Sequence, residues 1–375
     1  MPDRLLGGLS PREFLRRHWQ KRPLLVRAAW HPAPGLPRLA QLLALARRSE
    51  AESRLVLRRG SNWRVERGPI RRAQLQRLPA RNWTLLLNGS DHHFPAAEKL
   101  LRSFDFLPRA RLDDVMVSYA APGGGVGPHC DAYDVFLLQA RGRRIWRLQR
   151  PRRFEFEPEA PLKLISGFTP DEEYLVEPGD LLYLPPGWGH DGIALDRCWT
   201  YSVGCSAPSG AELALALLDY LHERGLPDAN FRDPDLRPAD RPAEIGSSLM
   251  KFAHQVSRRI HWTGADIAHA MGRQLTTPKP QTVFAPPAQP LSAVSFRRQL
   301  RRRDVALDAR TRLLYRGALF FVNGETVAVP VAMRARLARL ADRRQVRGAA
   351  FARAGSAALL YDWYRSGYLR LERSA

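Results

Sequence analysis

Cysteine is scarce in this sequence. Three cysteines occur among 375 residues, at positions 130, 198 and 205, and none of them belongs to a CxxC pair. An odd count without paired spacing argues against a disulfide framework and against a structural zinc module. We therefore expect a protein of a reducing compartment and predict a cytoplasmic location.

Long apolar runs are also missing. No stretch approaches the roughly 20 consecutive apolar residues of a membrane-spanning helix. The first residues, MPDRLLGGLSPREF, lack the charged and then apolar layout of a signal peptide. We therefore expect no membrane partner. With 45% hydrophobic residues, a chain of this length is expected to form about two or three packed domains.

Acidic residues are few at both ends of the chain. The formal net charge is +22, and residues 1–110 carry 22 basic and 8 acidic side chains, while residues 291–375 carry 18 and 6. The basic ends predict contact with RNA phosphates. Arginine so outnumbers lysine that genomic base composition is the alternative explanation. Residues 111–290, with 19 basic and 23 acidic side chains, would attract a basic polypeptide.

Two histidines and one aspartate have the spacing of a metal site. His129 and Asp131 lie two residues apart in GPHCDAYDVFLLQA, and His190 follows the apolar segment DLLYLPPGW. Residues i and i+2 of a β-strand point to the same face, so His129 and Asp131 would face one ion together. Two histidines and one carboxylate form the facial triad of non-heme Fe(II) oxygenases, which leaves coordination positions open.

An HxD pair alone is weak evidence for a metal site. Such pairs occur by chance in many proteins, and their histidine is usually structural or exposed. The distal PPGxxH, placed at the end of an apolar strand, is what favours the triad. The other eight histidines have no convincing partner at metal-binding spacing.

An arginine-rich strand follows the HxD segment. An Fe(II) oxygenase of this type needs a chelating reductant, usually 2-oxoglutarate, whose far carboxylate matches a guanidinium fork. In ARGRRIWRL, the period-two rule places Arg144 on one face with Trp146 and Leu148, and Arg143 on the other with Arg147. We predict that Arg144 faces inward. The alternative is an ordinary solvated basic strand.

Strand signals are densest between residues 111 and 206, where Gly and Pro turns separate short apolar stretches. This pattern predicts a double-stranded β-helix, the jelly-roll form that encloses a site in its mouth. From Ala211 onward, apolar residues recur at helical spacing, as in AELALALLDYLHERG. A proline-rich linker covers residues 276–290. The remaining helices and short strands predict a winged helix, so the fold class is α+β.

Four segments together resemble one known family: GGGVGPHCDAYDVF, GRRIWRL, EPGDLLYLPPGWGH and YSVGCSAP. They look like the bacterial ribosomal oxygenases of the JmjC/cupin superfamily. Those enzymes are Fe(II)- and 2-oxoglutarate-dependent hydroxylases that modify an arginine of large-subunit ribosomal protein sixteen, and their animal relatives modify histidines of other ribosomal proteins. The similarity runs across nearly the whole chain and is densest between residues 112 and 206.

The resemblance implies roles for eight residues of this sequence. The carboxylate of Asp114 could pair with a guanidinium substrate. In LDDV, Asp114 could equally be a residue of a turn or strand start. Cys130 and Ala132 are smaller or less polar than expected beside the metal ligands. The implied roles are iron binding by His129, Asp131 and His190, anchoring of 2-oxoglutarate by Arg144 with help from Ser118, and substrate binding by Asp114, Tyr133 and Ser202.

The predicted organisation has three parts. Residues 1–207 would form the JmjC/cupin catalytic domain with an N-terminal buttress, residues 208–275 a helical dimerisation segment, and residues 276–375 a winged-helix domain. The resemblance implies a homodimer. An intramolecular helix bundle is the alternative for the middle part.

The predicted function is hydroxylation of an arginine side chain in a large-subunit ribosomal protein, with Fe(II), 2-oxoglutarate and molecular oxygen. The expected partners are the ribosomal protein and, through the basic ends, ribosomal RNA. Two alternatives stay open from the sequence. The target could be a histidine of another ribosomal protein, or the chain could be a non-catalytic module that binds the ribosome or RNA.

Overall fold

The chain divides into two compact units. The structure is a computed structural model that describes residues 2–31 and 37–373. The first unit contains residues 1–207 and 279–285, and the second contains residues 208–278 and 286–375. Part of the proline-rich linker thus packs with the first unit. The three-part division made from the sequence stays a prediction.

Strands of the first unit form two antiparallel sheets. In chain order they are β1 (Leu24–Val26), β2 (Ser53–Arg59), β3 (Asn62–Arg67), β4 (Trp83–Leu87), β5 (Leu112–Ala120), β6 (His129–Cys130), β7 (Val135–Arg141), β8 (Arg144–Gln149), β9 (Glu172–Val176), β10 (Leu181–Leu184), β11 (Gly189–Ala194) and β12 (Cys198–Cys205). The larger sheet has the order β1-β10-β7-β12-β5-β4-β2-β3, and the smaller has the order β6-β11-β8-β9. Because the strands after β4 pass repeatedly between the two sheets, the predicted double-stranded β-helix is confirmed. Strands β2, β3 and β4, expected only to buttress the barrel, continue its larger sheet.

Side chains of the larger sheet alternate between two environments. In β5, Val117 and Tyr119 are buried in an outer core, and in β12 Tyr201 lies in the same core. Ser118 and Ser202, next to them in sequence, are also buried but must point to the opposite face. This opposite face lines the inside of the barrel, so polar groups of the larger sheet are presented to its interior.

Short helices of the first unit contribute to the outer core. Phe14 is fully buried there, with its ring centroid 5.0 Å from that of Tyr183. Ser10 and Glu13 form a reciprocal cap at the start of its helix, which satisfies backbone N–H groups that the helix itself leaves unpaired. The helices are α1 (Pro2–Leu5), α2 (Pro11–Arg17), α3 (Leu39–Leu45), α4 (Arg72–Gln76) and α5 (Pro95–Arg102).

A second apolar cluster lies inside the barrel. Its members come from both sheets, and most of them are large. Packing of this kind excludes water from one part of the interior and leaves the polar part to bind ligands. The buried members are Val135, Leu137, Trp146, Leu148, Val176, Leu182, Leu184 and Trp188.

The second unit begins with three helices, α6 (Gly210–Arg224), α7 (Ser247–Arg258) and α8 (Gly264–Thr276). Arg224 Nη1 lies 2.6 Å from Asp266 Oδ1, which ties α6 to α8. Leucines on α6 remain exposed in the single chain: Leu215 is 60% and Leu218 is 56% exposed. Among the described residues, no helix is long and apolar enough to cross a membrane.

The rest of the second unit combines three helices with two small sheets. The elements are α9 (Ala293–Leu300), β13 (Arg303–Leu307), β14 (Leu313–Arg316), β15 (Leu319–Val322), β16 (Glu325–Val327), α10 (Val331–Arg343), β17 (Gln345–Arg347), α11 (Ala354–Arg365) and β18 (Leu369–Arg373). The strand orders are β17-β13-β18 and β14-β15-β16. A core around Phe296, Leu337 and Leu360 joins the helices to the strands.

A buried carboxylate links the N-terminal segment to the barrel. Asp134 has no exposed surface. Its carboxylate accepts hydrogen bonds from the Tyr183 hydroxyl at 2.6 Å and from the Gln20 side-chain amide at 3.0 Å, and Arg111 lies 3.4 Å away. Removing it would leave these donors buried without an acceptor.

We expect the Asp134→Ala variant to lose about 2–4 kcal/mol of unfolding free energy, because a buried charged network is broken. The measurement is urea unfolding followed by tryptophan fluorescence. Glu173→Ala is the matched control, since Glu173 forms an exposed ion pair with Arg147 and should cost less than about 1 kcal/mol. Equal losses in the two variants would contradict the proposed role of Asp134.

Candidate metal centre and co-substrate pocket

Three potential metal ligands meet inside the barrel. His129 on β6 and His190 on β11 are direct cross-strand partners, and their ring centroids are 4.2 Å apart. Asp131 follows β6, and its Oδ2 lies 3.7 Å from His190 Nε2. One donor atom from each residue can be chosen so that all lie within 4.8 Å of one another. One ion could therefore touch all three.

The local backbone differs from the expectation in one respect. The sequence suggested a continuous strand from the HxD pair into VFLLQA, but β6 ends at Cys130 and β7 begins at Val135, in the other sheet. Asp131 therefore lies in the connection between the two sheets. Its carbonyl accepts a hydrogen bond from Gly187 N at 2.8 Å, which ties this connection to the turn before His190.

Both imidazoles are oriented by backbone carbonyls. His129 Nδ1 lies 2.9 Å from Gly127 O, and His190 Nδ1 lies 3.0 Å from Trp188 O. A protonated Nδ1 would donate to each carbonyl and leave Nε2 as the metal donor. Burial lowers the pKa of His190 to about 4, with the charge of His129 acting in the same direction. His190 is therefore neutral near pH 7, as a metal ligand must be.

The set of donors fits a ferrous ion. Two imidazoles and one carboxylate occupy at most part of an octahedral sphere, and the remaining positions can take a chelating co-substrate and oxygen. Among the residues that the structure describes, this is the one group of three or more histidine, cysteine or carboxylate side chains with metal-binding proximity. The other histidines, which the sequence assigned no metal role, are not part of such a group.

Arg144 is a buried cation on β8, the strand that pairs with the His190 strand β11. It is 4% exposed and shares the inward face of β8 with Trp146 and Leu148, as the alternation predicts. Its Nη1 lies 3.4 Å from Gly192 O, its Nη2 lies 3.4 Å from Cys198 Sγ, and its Nε has no hydrogen-bond partner.

A buried guanidinium normally pairs with a carboxylate, but none of the described residues supplies one to Arg144. His190 is paired across the sheet with Leu148, and Arg144 with Ala194. Along β8, the positions opposite His190 and at Arg144 are therefore four residues apart, which is about 13 Å of strand. The side chains can converge across this interval on a short dicarboxylate. The fit to 2-oxoglutarate is good.

Two further features shape the pocket. Ser118 is 5% exposed, and its hydroxyl is not engaged in the hydrogen bonds found among the described residues. Ser118 pairs across the sheet with Thr200, so both face the interior. At Gly192 an added Cβ would lie 2.5 Å from the Trp146 ring. Glycine at this position therefore lets the indole approach the strand that carries His190.

The three predicted substrate-binding residues differ in their environments. Ser202 is 5% exposed, Tyr133 is 40% exposed, and Asp114 is 7% exposed. Burial and the charges of Asp131 and Asp114 raise the pKa of Tyr133, which places its hydroxyl within electrostatic range of both carboxylates and keeps it protonated. Their role in substrate binding stays a prediction.

Lys279 is a further residue of this region that the sequence did not predict. Its Nζ lies 3.0 Å from Asp114 Oδ2 and 2.9 Å from Asp113 Oδ2. Lys279 follows Asp114 by 165 residues and lies in a proline-rich stretch without helical or strand periodicity. A local pattern therefore gives no signal for this contact. The charge of Lys279 was a weak indication of this contact, because a partly buried lysine needs an acidic partner.

Comparisons with known proteins agree with the geometry. A model of the JmjC domain matches residues 99–213, and a model of the ROXA-like winged helix matches residues 259–370. The ribosomal protein uL16 3-hydroxylase of Escherichia coli K12 is 33% identical over 320 residues, which are 85% of each chain. The chain belongs to the ribosomal oxygenase family. The predicted family, JmjC core and winged helix are thereby confirmed.

Other relatives of this ribosomal oxygenase include a probable ribosomal oxygenase of Haemophilus influenzae, 33% identical over 61% of this chain and 57% of that one. An X-ray structure of E. coli YcfD has a TM-score of 0.85 and 32% identity, covering 97% of this chain and 98% of that one. YcfD in complex with cobalt and 2-oxoglutarate has a TM-score of 0.81 and 31% identity over the same shares.

We expect replacement of His190 by Ala to weaken divalent-metal binding by more than about 100-fold, because one of three ligands is lost. The measurement is titration of the metal-free ribosomal oxygenase with Co²⁺, followed by visible absorbance. His254→Ala is the control, since His254 is an exposed residue of α7. Unchanged Co²⁺ binding in the His190 variant would rule out this triad as the metal site.

Proposed function

We propose that this ribosomal oxygenase uses Fe(II), 2-oxoglutarate and molecular oxygen to hydroxylate an arginine side chain of ribosomal protein uL16, the large-subunit protein sixteen. The observation that carries the proposal is the pairing of two features inside one barrel. A two-histidine, one-carboxylate group is open to further ligands, and a buried guanidinium beside it lacks a carboxylate partner among the described residues. A metal ion at the first feature could be chelated by 2-oxoglutarate, and the guanidinium at the second could pair with its far carboxylate. Together the two features would form a 2-oxoglutarate site.

The roles of the residues follow from this arrangement. His129, Asp131 and His190 would hold the iron, and Arg144 would hold the far carboxylate of 2-oxoglutarate, with Ser118 donating a further hydrogen bond. When bound, iron, 2-oxoglutarate and molecular oxygen would supply an oxidant that inserts one oxygen atom into a C–H bond, while the second oxygen atom enters succinate as 2-oxoglutarate loses carbon dioxide. The protein positions the substrate and excludes water. An aliphatic carbon is not acidic, so the reaction needs no general base.

The charges around Asp114 favour an arginine substrate. Its carboxylate is buried, and its hydrogen bonds within the described chain all end on Oδ2. Oδ1 is therefore left for a further donor, such as a guanidinium N–H. Tyr133 and Ser202 would orient the side chain with their hydroxyls. A histidine target stays the alternative, and a relative named bifunctional lysine-specific demethylase and histidyl-hydroxylase NO66 from Caenorhabditis elegans matches 30% of this chain.

We also propose two surfaces for larger partners. The last 85 residues carry 18 basic and 6 acidic side chains, which suits contact with ribosomal RNA. The exposed leucines of α6 suit a homodimer interface, because two apolar faces would cover each other. Modification of a ribosomal protein would take place in the cytoplasm. A non-catalytic binding module, the other alternative, does not explain the buried Arg144.

We expect the Arg144→Met variant to lose at least about 100-fold in kcat/KM for 2-oxoglutarate, because it removes a bidentate charged contact from a buried site. The assay is mass spectrometry of uL16 peptides incubated with the protein, Fe(II) and 2-oxoglutarate, together with succinate release. Arg147→Met on the outer face of the same strand is the matched control. It should remain within about twofold of the wild type.

One added oxygen on an arginine would support the proposed substrate. Addition to a histidine would retain the chemistry and replace the substrate. Absence of both oxygen addition and succinate release would favour the binding module. Equal activity of the Arg144 and Arg147 variants would show that Arg144 does not hold the co-substrate.

We expect the double change Leu215→Glu and Leu218→Glu to convert a dimer into a monomer, because it places four carboxylates in an apolar contact between two chains. Sedimentation velocity measures this change. Val294→Glu is the control, since Val294 is 81% exposed and lies on α9. A wild-type monomer, or a double variant that stays dimeric, would contradict the proposed interface.

A further inference from the structure

The strand that carries Asp114 is irregular at this point. Val115 is paired with Val203, and Leu112 is paired with Cys205, so the register shifts between them. Asp113 and Asp114 therefore share the single residue Gly204 as their opposite position. A bulge of this kind puts one extra residue into a strand and redirects its side chains, and bulges are frequent beside active sites. Two neighbouring carboxylates can thus reach one partner.

That partner is Lys279. Its Nζ lies 2.9 Å from Asp113 Oδ2 and 3.0 Å from Asp114 Oδ2, and one third of its side chain is exposed. Asp114 Oδ2 also accepts a hydrogen bond from Gly89 N at 2.8 Å. Lys279 belongs to the segment 279–285, which packs with the first unit. The lysine and the two aspartates therefore form one cluster within that unit.

We propose that Lys279 is a positioning residue for arginine recognition, which holds the Asp114 carboxylate through Oδ2 and leaves Oδ1 for the substrate guanidinium. This inference rests on the proposed function, in which Asp114 binds that guanidinium.

The identity of the cation supports this role. The chain contains 54 arginines and five lysines, yet a lysine occupies this position. An ammonium is a compact point charge, whereas a guanidinium presents a planar fork that can use both oxygens of a carboxylate. Lysine therefore fixes Asp114 through Oδ2 and leaves Oδ1 for the substrate.

Electrostatics give Lys279 an effect that a purely structural contact would lack. Burial raises the pKa of Asp114, the nearby Asp113 and Asp91 raise it further, and Lys279 opposes the rise. Burial alone would lower the pKa of Lys279, but the two carboxylates outweigh it and raise that pKa. The lysine thus stays charged near pH 7 and favours the ionised form of Asp114. Tyr133 stays neutral because its pKa is raised. The other titratable groups close to Lys279 are Glu50, Glu52, His92 and His93, and His92 Nε2 lies 3.7 Å from Asp91 Oδ2.

The test is the pH dependence of arginine-peptide hydroxylation by the full-length protein and its Lys279→Met variant. Without the lysine, Asp114 should bind a proton at higher pH, so the acid limb of kcat/KM should move upward by on the order of one pH unit. At pH 7 the KM for the peptide should rise on the order of tenfold. The kcat should be largely kept, because a bound guanidinium itself restores the ionised carboxylate.

Two controls separate charge from packing. Lys279→Arg keeps a cation and should retain the acid limb of the wild type. Lys251→Met removes an exposed lysine of α7 and should change neither the limb nor the KM. An acid limb that is identical in wild type and Lys279→Met would overturn the proposal. So would a loss confined to kcat.

Stability provides a readout that does not depend on the substrate. The contact between Lys279 and the aspartates needs an ionised carboxylate and a protonated amine. The stability difference between wild type and Lys279→Met should therefore grow as the pH rises through the pKa of Asp114, which burial raises above its ordinary value of 3.8. It should be lost again above the raised pKa of Lys279, whose ordinary value is 10.5. A difference independent of pH would overturn the electrostatic role.

The failure of this inference can be told apart from failure of the proposed function. If the wild type modifies histidine and not arginine, the proposed substrate is wrong, and the recognition role of Lys279 falls with it even if the stability difference follows pH. If arginine is modified and the acid limb does not move, the function stands and the role of Lys279 alone is wrong.

Discussion

A β-strand has only two faces, and the function of this protein depends on using each for a different purpose. In β5 and β12, one set of alternating residues packs in the outer core and the other set faces the barrel interior. In β8 the inward set includes the guanidinium of Arg144. A shift of one residue in any of these strands would exchange apolar and polar faces at once. The apolar outer core thus fixes which polar groups reach the metal ligands.

This constraint explains what the sequence could predict. The face of Arg144 followed from counting residues in ARGRRIWRL, because short-range periodicity is visible in a single sequence. The meeting of His129 with His190 was predicted from the two-histidine, one-carboxylate pattern, with His190 placed after an apolar strand. In the structure these two histidines are cross-strand partners. The roles of Ser118, Asp114, Tyr133 and Ser202 came instead from resemblance to a family.

Other features depend on which strand meets which, and periodicity carries no such information. The end of β6 at Cys130 and the start of β7 in the other sheet could not be read from an uninterrupted apolar pattern. The bulge at Asp113 and Asp114 exists only relative to β12. The partner of Asp114 lies 165 residues away. Long-range pairings of this type are set by tertiary packing and override local preference.

The catalytic unit is discontinuous in sequence, since residues 279–285 belong with residues 1–207. A protein truncated after residue 207 would therefore lack a structural piece of its own first unit, although the three proposed metal ligands and Arg144 would be present. The buried Asp114 and the half-buried Asp113 would lose their ammonium partner and repel each other. The region of similarity to the JmjC domain, residues 99–213, therefore contains Asp113 and Asp114 but not Lys279.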